Sequence, residues 1–138
     1  MNVIPAINCL DLLCVEKRLD VIKGFLPPDG WVHLDVADAR FTFNKTWGDP
    51  EKWKEIGKSL NLEVHLMVEE PEYIVPRWLE AGAKRVILHI EAVASLEHII
   101  KECRAHGAEV MLSTNPETPA EKIKPYLAKL KWLQVLAV

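Results

Sequence analysis

The sequence predicts an α/β protein built on one parallel sheet, with about six strands and five helices in regular alternation. Short runs rich in Val, Ile and Leu alternate with longer segments in which apolar residues recur every three or four positions. The strand candidates are nearly continuous in apolar character, as expected where helical crossovers cover a parallel sheet on at least one face. Helix boundaries are marked by capping and stop residues in the expected order.

The first strand is Val3 to Cys9, followed by helical spacing over Val15 to Phe25. The second, Trp31 to Val36, leads to a helix over Pro50 to Leu60, where Asp49-Pro50 fits a cap followed by proline in the first turn. The third strand, Leu62 to Met67, precedes a helix over Pro71 to Ala81 with Gly82 as its stop. Strand four, Arg85 to Ile90, precedes a helix over Ser95 to His106, stopped by Gly107. Strand five, Glu109 to Ser113, precedes a helix over Pro119 to Leu130, opened by Thr118-Pro119, and Leu133 to Val138 is the sixth strand. No linker or composition shift divides the chain, so residues 1–138 are expected to form one domain.

The composition narrows the function classes. Apolar content of 49% with 27% charged residues is ordinary for a soluble globular protein, and a net charge of −3 with no basic stripe argues against nucleic acid or an anionic membrane as partner. The N-terminus has no signal-like charged and apolar regions, and no apolar run is long enough to cross a bilayer, so a cytoplasmic protein is expected. Cys9, Cys14 and Cys103 are odd in number and form no C-x-x-C pair, which argues against a disulfide framework or zinc cluster and predicts reduced thiols.

Chemistry concentrates in two strands, W-V-H-L-D-V-A-D from Trp31 to Asp38 and E-V-H-L-M-V from Glu63 to Val68. Side chains alternate faces along a strand, so His33 shares a side with Asp35, and His65 with Met67. Two imidazoles and a carboxylate that converge on rigid strands make a metal site or a proton-transfer site. From the residues alone His33 and His65 read more readily as hydrogen-bonded core residues than as ligands, and Asp35 is readable as an acceptor for backbone amides. Met67 reads as packing, Asp38 as a loop or cap residue of the opposite parity, and His89 with Glu91 as a strand-end network. The five tryptophans Trp31, Trp47, Trp53, Trp78 and Trp132 read as packing residues.

An ordered set of segments resembles the ribulose-phosphate 3-epimerase family. Ile4-Pro5-Ala6-Ile7 looks like its opening strand, and Val32-His33-Leu34-Asp35-Val36 with Asp38 looks like its H-x-D-V-x-D strand. Phe41, Asn44, Thr46 and Gly48 fit the loop that follows, and Glu63-Val64-His65-Leu66-Met67 is similar to its V-H-L-M strand. Glu70-Pro71-Glu72-Tyr73, Ala81-Gly82-Ala83, His89-Ile90-Glu91-Ala92 and Asn115-Pro116-Glu117-Thr118-Pro119 follow in order and spacing.

The resemblance implies a partial (β/α)8 barrel of the TIM type, and an isomerase that epimerises pentulose 5-phosphates at the carbon beside the ketone. That reaction removes a proton from one face and delivers another to the opposite face, with a divalent cation stabilising the enediolate between. It implies metal ligation by His33, Asp35 and His65, acid/base catalysis by Asp35, and substrate contacts from Cys9, His33, His65 and Met67. Zinc, iron or manganese fits such ligands, and no organic cofactor is implied.

Parts of the family pattern have no counterpart. The family's seventh-strand aspartate, its second acid/base and fourth protein ligand, and its phosphate-binding loops lie beyond the sixth strand, where this sequence ends. Cys9 stands in place of a serine, Ala37 of a methionine, Ala39 of a glycine and Leu136 of a methionine. An epimerase-like partial barrel with little or no activity alone is therefore expected, retaining metal or phosphosugar binding. The alternative is a working epimerase completed by oligomerisation or by further strands. Open edges and an uncovered inner face predict a homodimer or higher homo-oligomer.

Overall fold

A computed structural model of the chain describes residues 3–136. Its six strands form one sheet in the order β1-β2-β3-β4-β5-β6, every neighbouring pair parallel. The strands are β1 (Ala6–Ile7), β2 (Trp31–Ala37), β3 (Asn61–Met67), β4 (Ala83–His89), β5 (Glu109–Ser113) and β6 (Trp132–Leu133). Because each strand lies beside its predecessor, the sheet winds in one direction with no switch point. That is the strand order of a barrel and not of a doubly wound sheet, and it confirms the partial TIM-type α/β fold.

The crossovers contain α1 (Leu12–Lys23), α2 (Pro50–Ile56), α3 (Val75–Glu80) and α4 (Leu96–Ala105). Helix α1 begins three residues before the expected Val15, because the Asp11 carboxylate accepts from the Cys14 amide at 2.9 Å and caps the turn. Asp49 caps α2 as expected, accepting from the Lys52 amide at 3.1 Å, while Gly57 ends that helix before the expected Leu60. Gly82 and Gly107 take positive φ of 92° and 67°, the left-handed stop that glycine adopts most readily.

Prolines redraw the other two helices. The segment from Pro71 to Ala81 divides into a 3-10 turn over Pro71–Tyr73 and the short α3, with Pro76 in its first turn. The fifth segment is not α-helical: Pro125 follows a 3-10 turn over Ala120–Lys122 and opens another over Lys124–Lys129, and neither buries a residue. The end strands are short as well. β1 and β6 cover two residues each, and positions 137 and 138 of the expected last strand lie outside the described residues.

One parity of each strand builds the core. Val32, Leu34, Val64, Leu66, Val86, Leu88, Val110 and Leu112 turn toward the helices, where they meet Val15, Leu19, Trp53, Trp78, Ile99 and Cys103. The opposite parity forms the inner face: Trp31, His33 and Asp35; Glu63, His65 and Met67; Arg85 and His89. Trp53 and Trp78 are core residues as expected, whereas Trp31 and Trp132 flank the Arg85 guanidinium at 4.5 and 4.6 Å.

The reduced-thiol expectation is corrected at the first two cysteines. Cys9, after β1, and Cys14, in the first turn of α1, form a disulfide with their Cα atoms 5.7 Å apart. The Asp11 cap turns the chain back at this point and brings two residues five positions apart within bridging distance. Cys9 is buried with its sulfur committed to Cys14, so it offers the inner face no thiol for a substrate contact. Cys103 is free, and burial pushes its thiol up to about 12.

Candidate metal centre

The register of β2 and β3 sets the site. His33 is the Cα partner of Glu63, and Asp35 of His65. Side chains on the same face of adjacent strands touch, and here an acid meets an imidazole twice. His33 Nε2 lies 2.9 Å from Asp35 Oδ1, and His65 Nδ1 lies 3.0 Å from the same oxygen. The Asn8 side-chain amide donates to Asp35 Oδ2 at 3.1 Å.

A loop contact fixes the strand beneath this carboxylate. The Thr46 hydroxyl donates to the Asp35 carbonyl at 2.7 Å and accepts from the Ala37 amide at 2.8 Å. Asp38 faces away, as its parity predicts, and its carboxylate accepts from the amides of Arg40, Phe41 and Glu69. It is a loop anchor and not a member of the site.

Protonation follows from the partners. Both ring nitrogens of His33 face carboxylate oxygens, Nε2 toward Asp35 and Nδ1 toward Glu63 at 2.7 Å, and both positions are satisfied only by the doubly protonated ring. Burial pulls the His33 pKa down, but the hydrogen bonds and charges of Asp35 and Glu63 outweigh it and raise it to about 9. Burial likewise opposes ionisation of Asp35, yet its bonds to His33 and His65 hold the carboxyl well below the usual range. His89 is held below its usual value by burial and by the neighbouring His65.

The polar cluster continues along the strand ends. His65 Nε2 lies 2.9 Å from His89 Nε2, with the two rings stacked at 5.1 Å, and the Phe41 ring lies 4.9 Å from that of His89. His89 Nδ1 is buried without a hydrogen-bond partner. Glu91 takes the structural role expected of it, accepting from the Asn115 amide at 2.9 Å and from the Thr118 hydroxyl.

His33, Asp35 and His65 each present one ligand atom, and the three atoms lie within 4.8 Å of one another. Two imidazole nitrogens and a carboxylate oxygen at this spacing are a donor set suited to a divalent cation. A cation would replace the proton on His33 Nε2. Met67 follows His65 on the same face at the C-terminal end of β3 and is half-buried. The sequence alone does not single out Asn8, Thr46, Glu63 or Arg85 as neighbours of the site. Of these, only Glu63 carries a usable signal, since it shares the parity of His65 two residues earlier.

The family described as Ribulose-phosphate 3 epimerase matches residues 3–138 of the sequence. The chain belongs to that family. Ribulose-phosphate 3-epimerase of Schizosaccharomyces pombe is 36% identical over 99% of the chain, which spans 61% of that protein. The enzyme of Treponema pallidum is 35% identical over 97% of the chain, again 61% of its own length. The chain thus spans about three fifths of the length of these epimerase relatives.

Among solved structures, the TTHB071 protein from Thermus thermophilus, in a crystal soaked with ZnCl2, superposes with a TM-score of 0.57. The match covers 96% of this chain and 65% of that one at 17% identity, and supports the family's α/β fold. No helix among the described residues is long and apolar enough to cross a membrane.

Proposed function

We propose that these residues form the metal-holding part of a pentulose-5-phosphate 3-epimerase site, and that the 138-residue chain alone binds a divalent cation or phosphosugar with little or no turnover. The observation that carries this reading is the convergence of His33 Nε2, Asp35 Oδ1 and His65 Nδ1 on one point of the inner face. When bound, a divalent cation supplies Lewis-acid polarisation of the substrate ketone and offsets negative charge on its oxygen.

The protein's own groups orient and move protons. Asp35 is the acid/base group on one face, ionised and steadied by Asn8 at its second oxygen. His33, His65 and Met67 line the substrate side of the same strands. One feature supports low activity: among the described residues no second aspartate joins the group, and epimerisation requires an acid and a base on opposite faces.

The open inner face favours a second copy of the chain as partner. Among the described residues β1 and β6 are the edges of the sheet, and Trp132 and Leu133 remain 39% and 43% exposed on β6. The cytoplasm, where sugar phosphates are turned over, is the location that suits this reading.

Incubation of the chain with ribulose 5-phosphate, zinc or ferrous ion and deuterated water tests the proposal. The expected result is metal binding with no deuterium at carbon 3 above a metal-only control. Rapid exchange that disappears in Asp35→Asn would contradict it and support a working epimerase completed by self-association or by further strands.

A further inference from the structure

A second row of side chains crosses the inner face beside the metal group. His33 is the register partner of Glu63, Glu63 of Arg85 and Arg85 of Glu109, on four successive strands. Parallel neighbours lie about 4.8 Å apart, so the members of this row touch, and their charges alternate. His33 Nδ1 donates to Glu63 Oε1 at 2.7 Å, and Arg85 Nη1 donates to the other oxygen, Oε2, at 2.6 Å. Arg85 Nε and Nη2 donate to Glu109 Oε2 at 3.2 and 2.9 Å, and the Trp132 indole donates to the same oxygen at 2.8 Å.

Glu63 and Arg85 are only 6% and 7% exposed. Burying such a pair has a desolvation penalty that an apolar pair of similar volume avoids, so stability alone does not explain it. Its geometry suggests another use. An imidazole that ligates through one nitrogen has its ring angle and tautomer fixed by the hydrogen bond at the other. Glu63 keeps a proton on His33 Nδ1 and leaves Nε2 as the nitrogen presented to Asp35. Glu63 cannot swing away, because its second oxygen is held by a guanidinium wedged between two indoles.

We propose that Glu63 is a positioning residue for His33, and that Arg85, clamped between Trp31 and Trp132, holds Glu63 in place. Packing near the N-terminal ends of the strands thereby sets the direction of a metal-ligating nitrogen. The inference rests on the reading of His33 as a ligand given above.

The test compares the wild-type chain, Glu63→Gln and the double variant Glu63→Leu/Arg85→Met. Calorimetric titration with Zn²⁺ alone, urea unfolding and side-chain nitrogen NMR of the histidines are the readouts. Glu63→Gln keeps a carbonyl acceptor for Nδ1–H and is expected to lose less affinity than the double variant. The double variant should unfold at a lower urea concentration, because His33 loses one of its two acceptors, yet remain folded without urea and bind zinc about 10- to 100-fold more weakly. Wild-type zinc affinity in that variant would show a structural role only and overturn the inference. If the wild-type chain binds no zinc, the metal reading fails and the NMR decides this one separately. A His33 Nδ1–H present in wild type and Glu63→Gln but absent in the double variant supports positioning, and an unprotonated Nδ1 in wild type overturns it.

Discussion

Asp35 and His65 face each other across adjacent parallel strands, and the carboxylate Oδ1 of one meets the imidazole Nδ1 of the other at 3.0 Å. The pairing is a product of register, and a one-residue slip would turn one of the two toward the helices. Asp35→Asn should weaken zinc binding by more than the roughly 10- to 100-fold typical of losing a group outside the ligand shell. It should also lower folding stability by about 1–3 kcal/mol, since His33 and His65 lose a charged acceptor. Calorimetry and urea unfolding read the two effects separately.

Stability of the metal-free chain should depend on pH in a defined sense. His33 rises from its ordinary 6.5 to about 9, because its bonds to Asp35 and Glu63 overcome the opposing effect of burial. Its contribution is complete below 6.5 and fades as pH rises through about 9. Asp35 is shifted the other way, with burial again outweighed by its imidazole partners, so its contribution is complete above 3.8 and fades as pH falls toward its lowered value. The urea midpoint from these two groups is expected to be highest between 3.8 and 6.5 and lower at either side. A midpoint that climbs as pH rises from 6.5 through about 9 would contradict the His33 assignment.

Ala39 stands where the family resemblance places a glycine, and its φ is 62°. A β-carbon in this left-handed region is disfavoured by about 1–2 kcal/mol. Ala39→Gly should therefore stabilise the chain, by about 1 kcal/mol after allowing for the greater freedom of glycine in the unfolded state. Thermal unfolding at fixed pH measures it, and a destabilised variant would contradict the backbone conformation of this loop.

The cysteine pairing predicts an alkylation pattern. Without reductant the folded chain should not react, because Cys9 and Cys14 are bridged and Cys103 is buried with its thiol pushed up to about 12. After unfolding, mass spectrometry should find one label on Cys103, and all three cysteines labelled only after reduction. Labelling of Cys14 in the folded, unreduced protein would contradict the bridge.

Much of this architecture is legible in the sequence because parallel strands buried against helices write continuous apolar runs, and β2 through β5 fall close to those runs. The convergence of His33, Asp35 and His65 is readable for the same reason, since strand parity is a local property. The interruptions by Pro76 and Pro125 are less readable, because proline is tolerated in a first helical turn and local spacing does not say whether a new turn begins there. Partnerships across strands are not local at all: Glu63 meets His33 across 30 positions and Arg85 across 22. The Cys9–Cys14 bridge depends on how the Asp11 cap folds the chain, which cysteine spacing alone does not express.

The central claim is that His33, Asp35 and His65 hold one divalent cation between β2 and β3. Titration of the purified chain with Co²⁺, followed by its visible absorption, tests this most directly, in parallel with His33→Ala and His65→Ala. One equivalent bound by the wild-type chain, with a spectrum lost in both variants, is the expected result. A spectrum that survives both substitutions, or no binding by the wild-type chain, would contradict the account.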